Sequence, residues 1–139
     1  MPESTNAKLT GLLFAMKRDL MSKFKEGKGF CPVDYFRAEI LSYLQSHKKT
    51  KMKDVANFLG ITPPSATSLV DKLVQEKFLE RQNDKTDRRK VLLLITKKGS
   101  LFIKKTYTEM NDIMQKTFRS LNDKDKKDLI RIYNKLLKK

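Results

Sequence analysis

Between Lys51 and Ile95 the chain is punctuated so closely that few folds remain open to it. Met52, Val55, Ala56 and Leu59 fall on one face of a short helix, and Gly60 ends it. Thr62 supplies a side-chain acceptor for the next helix, and Pro63 has the backbone angle its first residue needs. That second helix runs to about Glu76 or Lys77. Leu79 to Arg81 then reads as a short strand and Asn83 to Arg89 as a polar loop. Lys90 to Ile95, rich in branched residues, reads as the returning strand. Thr96 caps a further helix. Two helices joined by a tight turn and followed by a hairpin predict a helix-turn-helix with a wing.

The flanks are helical. From Ala7 to about Lys25, Leu9, Leu12, Leu13, Met16, Leu20 and Phe24 recur at helical spacing, and Gly27-Lys28-Gly29 ends the run. Pro32 opens a second helix whose buried face is expected from Phe36, Ile40, Leu41 and Leu44, down to about His47. His47 to Thr50 is a connector. After Thr96 come Leu101, Phe102, Ile103, Tyr107, Met110, Ile113, Met114 and Phe118; Asn122 then caps a last helix. The fold class is therefore mainly α, in the order α-α-α-α-β-β-α-α. The expected organisation is an N-terminal helix (1–35), a winged helix-turn-helix (36–96), and C-terminal helices for dimerisation (97–139). The last two helices carry apolar residues on more than one side, which points to burial in more than one direction. Pairing with a second copy satisfies this, as would a monomer's own core.

The surface is strongly cationic: 31 Lys and Arg against 16 Asp and Glu, a formal +15. Such an excess repels itself unless a polyanion is near, with DNA the first candidate, RNA the second and an acidic membrane surface the third. One cysteine, Cys31, excludes an internal disulfide and suits a reducing compartment. No run approaches the roughly 18 apolar residues of a membrane span, so a cytoplasmic protein without membrane association is expected.

On the helix from Thr62, Ala66, Leu69, Val70, Leu73 and Val74 gather on one side. Pro64, Thr67, Ser68 and Lys72 gather opposite, with Ser65 at the margin. The outward face is small, hydroxylated and mildly cationic, which lets backbone approach a major groove and hydroxyls meet phosphates and base edges. An ordinary solvated helix has a similar face. The loop adds Lys85, Asp87, Arg88, Arg89 and Lys90. Arginine is drawn into narrow minor grooves by their negative potential. Asp87, two residues before Arg89, is placed to hold the guanidinium. A solvated turn with a weak ion pair remains the bland alternative.

Phe36 to Leu44, together with DVANFLGITPPSATSLVDKLVQEKFLERQNDKTDRRKVLLLITKKG from Asp54 to Gly99, resembles the MarR (multiple antibiotic resistance regulator) family. The most specific stretches are SLVDKL (Ser68 to Leu73), DRR (Asp87 to Arg89) and LITKKG (Leu94 to Gly99). The resemblance implies a homodimeric transcription regulator with its recognition helix at Pro63 to Glu76. It implies that Asp87 orients Arg89 in the minor groove, and that the first and last two helices pair the protomers. It further implies a cavity for a small-molecule effector, for which Phe14, Phe24, Phe36 and Tyr43 are the candidates.

The residues name no chemistry of catalysis. There is no triad, carboxylate dyad or cofactor fingerprint; Gly27-Lys28-Gly29 lacks the spacing of a phosphate loop. His47 is the only histidine, so no usual zinc set is at hand. The family resemblance implies that an oxidant-sensing cysteine lies in the N-terminal helix; Cys31 follows that helix, and a partly buried structural thiol is expected instead. The expected function is a homodimeric repressor on a pseudo-palindromic operator in double-stranded DNA, with no enzyme activity, cofactor or metal. The rivals are a sequence-neutral, chromosome-organising nucleic-acid binder and a winged helix used only for interaction or dimerisation.

Overall fold

The computed structural model describes residues 4–26, 31–87 and 91–138. Six helices and one hairpin follow in order: α1 (Thr5–Glu26), α2 (Pro32–Ser46), α3 (Met52–Leu59), α4 (Pro63–Gln75), β1 (Leu79–Asn83), β2 (Val91–Ile95), α5 (Lys97–Thr117) and α6 (Asp123–Leu136). The predicted punctuation is what sets these bounds. Gly60 closes α3 in the left-handed region at φ 67°, where a side chain would be strained. The Thr62 hydroxyl accepts from the Ser65 N–H at the head of α4. Asn122 and Asp125 cap α6 reciprocally, each side chain accepting from the other's backbone N–H at 2.8 and 3.2 Å.

The chain divides into two units, Gly29–Thr108 and Met1–Lys28 with Glu109–Lys139. The first holds the main core. Ile40, Leu41 and Leu44 of α2, Val55 of α3, Ala66 and Leu73 of α4 are all fully buried, and Leu79, Leu93 and Ile103 close the cluster. Burying each large aliphatic side chain contributes about 1.5–3 kcal/mol, so this layer fixes how α4 is held. β1 and β2 pair antiparallel from Leu79 opposite Ile95 to Asn83 opposite Val91. Leu79 and Leu93 face the core.

Three expectations need correction. β1 runs two residues beyond Arg81, because Gln82 and Asn83 keep the backbone ladder although their exposed side chains give no apolar signal. Phe36 is 54% exposed and is not part of the buried face of α2. Its expected place is taken by Arg37, which reaches inward to pair with Glu76 and lies over the Phe78 ring. Cys31 is exposed at the head of α2 and is not a partly buried thiol.

In the second unit, Phe24 and Ile113 are buried and Lys23 bridges to the Thr117 hydroxyl at 3.4 Å. Most other apolar side chains here are open: Leu9, Leu12 and Leu13 on α1, and Ile130 and Leu136 on α6, are 58–71% exposed in a single chain. No residue of α6 is buried.

Candidate nucleic-acid interface

The inward half of α4 is locked by Ala66, Val70 and Leu73, so its outward half is fixed in direction. Pro64, Ser65, Thr67, Ser68 and Lys72 are all exposed there, as the periodicity predicts. Thr62, also exposed, donates its hydroxyl to Ser65 Oγ at 2.9 Å, which commits that pair to the helix end. The side chains of Thr67, Ser68 and Lys72 make no hydrogen bond or ion pair among the described residues. Shallow hollows run along this face, one of them edged by Pro64, Thr67, Ser68, Asp71, Lys72 and Gln75. Asp71 would set a carboxylate against a polyanion, but it pairs with Arg81 of β1. The pair is half exposed and adds at most about 1 kcal/mol to stability. Its effect is to cancel the negative charge beside the outward face.

The end of α4 is tied to the start of α5. Lys77 takes a left-handed φ of 68°, turning the chain into β1. The Thr96 hydroxyl donates to the Lys77 carbonyl at 2.7 Å and accepts from the Gly99 N–H at 3.0 Å. Lys98 Nζ donates to the Glu76 carbonyl at 2.8 Å, satisfying an orphan acceptor at the helix C-terminus, and lies 4.7 Å over the Phe78 ring. Thr-Lys-Lys-Gly is therefore a clamp on α4. The Arg37–Glu76 pair, 39 residues apart, braces the same end from α2.

At the wing, Asp84 is buried and accepts from Thr86 twice, from the N–H at 2.9 Å and the hydroxyl at 2.7 Å. Lys49 Nζ stands 3.6 Å away. The Thr86 hydrogen bonds, more than Lys49, hold the Asp84 carboxyl below its ordinary value of 3.8. A depressed carboxyl stabilises the fold fully above its unfolded value, and that contribution disappears as pH falls through the lowered folded value. A carbon-detected titration should therefore place the Asp84 midpoint below 3.8; a midpoint at or above it would contradict this anchoring. Lys85 is exposed and Asp87 half-buried. Arg88, Arg89 and Lys90 lie outside the described residues, and the expected Asp87–Arg89 contact with them. The four aromatic effector candidates are divided: Phe14, exposed, and Phe24, buried, in one unit; Phe36, exposed, and Tyr43 in the other. Tyr43 stacks between His47 and Phe58, at 4.2 and 4.4 Å between ring centroids.

Sequence reasoning missed Asp71, Arg81, Arg37 and Asp84. Only Asp84 left a local signal, an Asp with Thr two residues on, which favours an Asx turn. The others pair across elements.

Residues 37–91, from α2 to the start of β2, match the family model described as MarR family. Curated relatives agree. The HTH-type transcriptional regulator YwhA of Bacillus subtilis (strain 168) is 26% identical over 75% of this chain and 75% of its own length. The HTH-type transcriptional repressor MdtR of the same organism is 24% identical over 81% of this chain and 71% of its own. Over residues 37–91 the chain is similar to the MarR family. Among solved structures, a MepR-like protein complexed with pseudoligands is 26% identical and superposes with a TM-score of 0.62, over 93% of this chain and 91% of that one. The MarR-family fold is thus present from α1 to α6, and the chain is a transcription regulator of the winged helix-turn-helix kind. Among the described residues no helix is long and apolar enough to cross a membrane, and no group of three His, Cys, Asp or Glu could hold a metal ion.

Proposed function

We propose that this chain binds a pseudo-palindromic operator in double-stranded DNA as a homodimer and represses transcription from it. The observation that carries the reading is the outward face of α4. Thr67, Ser68 and Lys72 are exposed and unpartnered among the described residues, on a helix whose other side is fully packed. A rigid, small-residue helix is what a major groove admits. Lysines and arginines supply affinity through phosphates and counterion release. Lys85, Asp87, Arg88, Arg89 and Lys90 make the wing contact, with Arg89 in the minor groove.

Homodimer formation is supported by the second unit. Its α1 and α6 expose Leu9, Leu12, Leu13, Ile130 and Leu136 in a single chain, large apolar side chains that pairing with a second copy would cover. A helix-turn-helix dimer sets its recognition helices about 34–36 Å apart, one turn of DNA. A small molecule relieves repression in this scheme by binding one dimer state more tightly than the other.

The test compares operator with random duplex at fixed salt. A preference on the order of 1000-fold or more is expected; a ratio near one makes the protein a sequence-neutral binder. Arg89→Ala should cost about 1–3 kcal/mol of operator affinity. Full affinity in that variant would instead leave the winged helix an interaction module.

A further inference from the structure

The connector between α2 and α3 carries Lys48, Lys49 and Lys51, all exposed. Two contacts place it against the hairpin. The Lys48 carbonyl accepts from the Leu93 N–H of β2 at 3.4 Å, and Lys49 Nζ approaches Asp84 at the root of the wing loop. A surface hollow opens here, lined by Ser46, His47, Lys48, Lys49, Thr50 and Asp54 among others. The two carboxylates nearby are occupied. Asp54 accepts from the Lys51 backbone N–H at 3.4 Å, and Asp84 is taken up by Thr86. The ammonium of neither Lys48 nor Lys51 has a carboxylate partner within 4 Å among the described residues. Only Lys49 is offset, by Asp84, so the three like charges in four residues still repel one another unless an external anion sits among them.

We propose that Lys48, Lys49 and Lys51 form a phosphate-binding patch that grips the DNA backbone beside the wing, extending the contact beyond the base pairs read by α4. The proposal rests on the operator-binding reading above. The ammonium groups are hydrated point charges on flexible stems, suited to phosphodiesters and indifferent to sequence. Because the Lys48 carbonyl is hydrogen-bonded to β2, the patch is tied to the hairpin that carries the wing loop. The wing then enters its groove with the neighbouring backbone already held. The patch predicts affinity that grows with duplex length past the consensus, without added sequence preference.

The test uses the full chain carrying Lys48→Ala and Lys51→Ala, with Lys124→Ala and Lys127→Ala on the polar side of α6 as an equal-charge control. Binding is measured against salt on a minimal consensus duplex and on one extended by about ten base pairs at each end, roughly one helical turn. Each substitution removes one phosphate contact per protomer, so the connector variant should lower the slope of log K against log salt by roughly four in a dimer. It should also lose the gain from the extended duplex, while the control keeps both. Thermal unfolding of the connector variant should match the parent. A connector variant whose slope and length dependence equal the parent's overturns the patch and leaves operator binding intact. A control that falls as far as the connector variant also overturns it, since net charge would then explain the loss. A parent that binds no duplex sinks the operator reading itself, and the patch with it.

Discussion

Ser68→Glu should abolish operator binding while leaving the fold unchanged. Ser68 sits at the middle of the outward face of α4, exposed and without a side-chain partner among the described residues. A carboxylate there adds a negative charge against a phosphate-lined groove, and like charges brought together at an interface cost several kcal/mol. A loss of about 100-fold or more is expected, equivalent to about 3 kcal/mol. The same site has no role in packing, so thermal stability should stay within about 0.5 kcal/mol of the parent. Ser68→Ala, which removes only a hydroxyl, should lose far less. Retained affinity in Ser68→Glu would mean that the duplex is met by some other surface.

The second large effect is on stability. Gly99→Ala should destabilise the protein even though alanine is the better helix former. A methyl group built at Gly99 collides with the Phe78 carbonyl oxygen and comes within 2.9 Å of Ile95 Cγ2. The carbonyl is backbone and cannot swing aside. It also accepts from the Thr96 N–H at 3.1 Å and its hydroxyl at 3.2 Å, so a shift weakens the clamp on α4. Overpacking costs about 1–3 kcal/mol and each weakened hydrogen bond about 0.5–1.5 kcal/mol. The gain in helix propensity returns at most about 1 kcal/mol. The net loss should be roughly 2 kcal/mol, a fall of about 4–10 °C in the midpoint of thermal unfolding. Gly11, on the polar side of α1 with open space around it, is the control: Gly11→Ala should be neutral or stabilising. A Gly99→Ala protein more stable than the parent would show that the clamp tolerates movement.

These two sites differ in how far the chain announces them. The direction of Ser68 follows from periodicity, because Ala66, Leu69, Val70 and Leu73 can only be buried together if Ser68 points away. The helix bounds follow as directly, since Gly60, Thr62, Pro63 and Asn122 act on the backbone within a turn of themselves. Thr96 was legible as a cap, but its bond to Lys77 and the crowding at Gly99 were not; both depend on where β1 returns to α5. Phe36 misled because its spacing matches Ile40 and Leu44, while the inward position was claimed by Arg37 through a partner 39 residues distant. The charge balance between Asp71 and Arg81 was hidden for the same reason. Local chemistry therefore located the DNA-facing helix, and tertiary pairing decided how it is braced and which charges it presents.

Selection of bound duplexes from a random pool tests the central proposal most directly. Two protomers presenting α4 to one side of DNA should recover a two-fold-symmetric consensus with half-sites about 10–10.5 base pairs apart, centre to centre. A single unrepeated half-site, or no consensus at all, would contradict it.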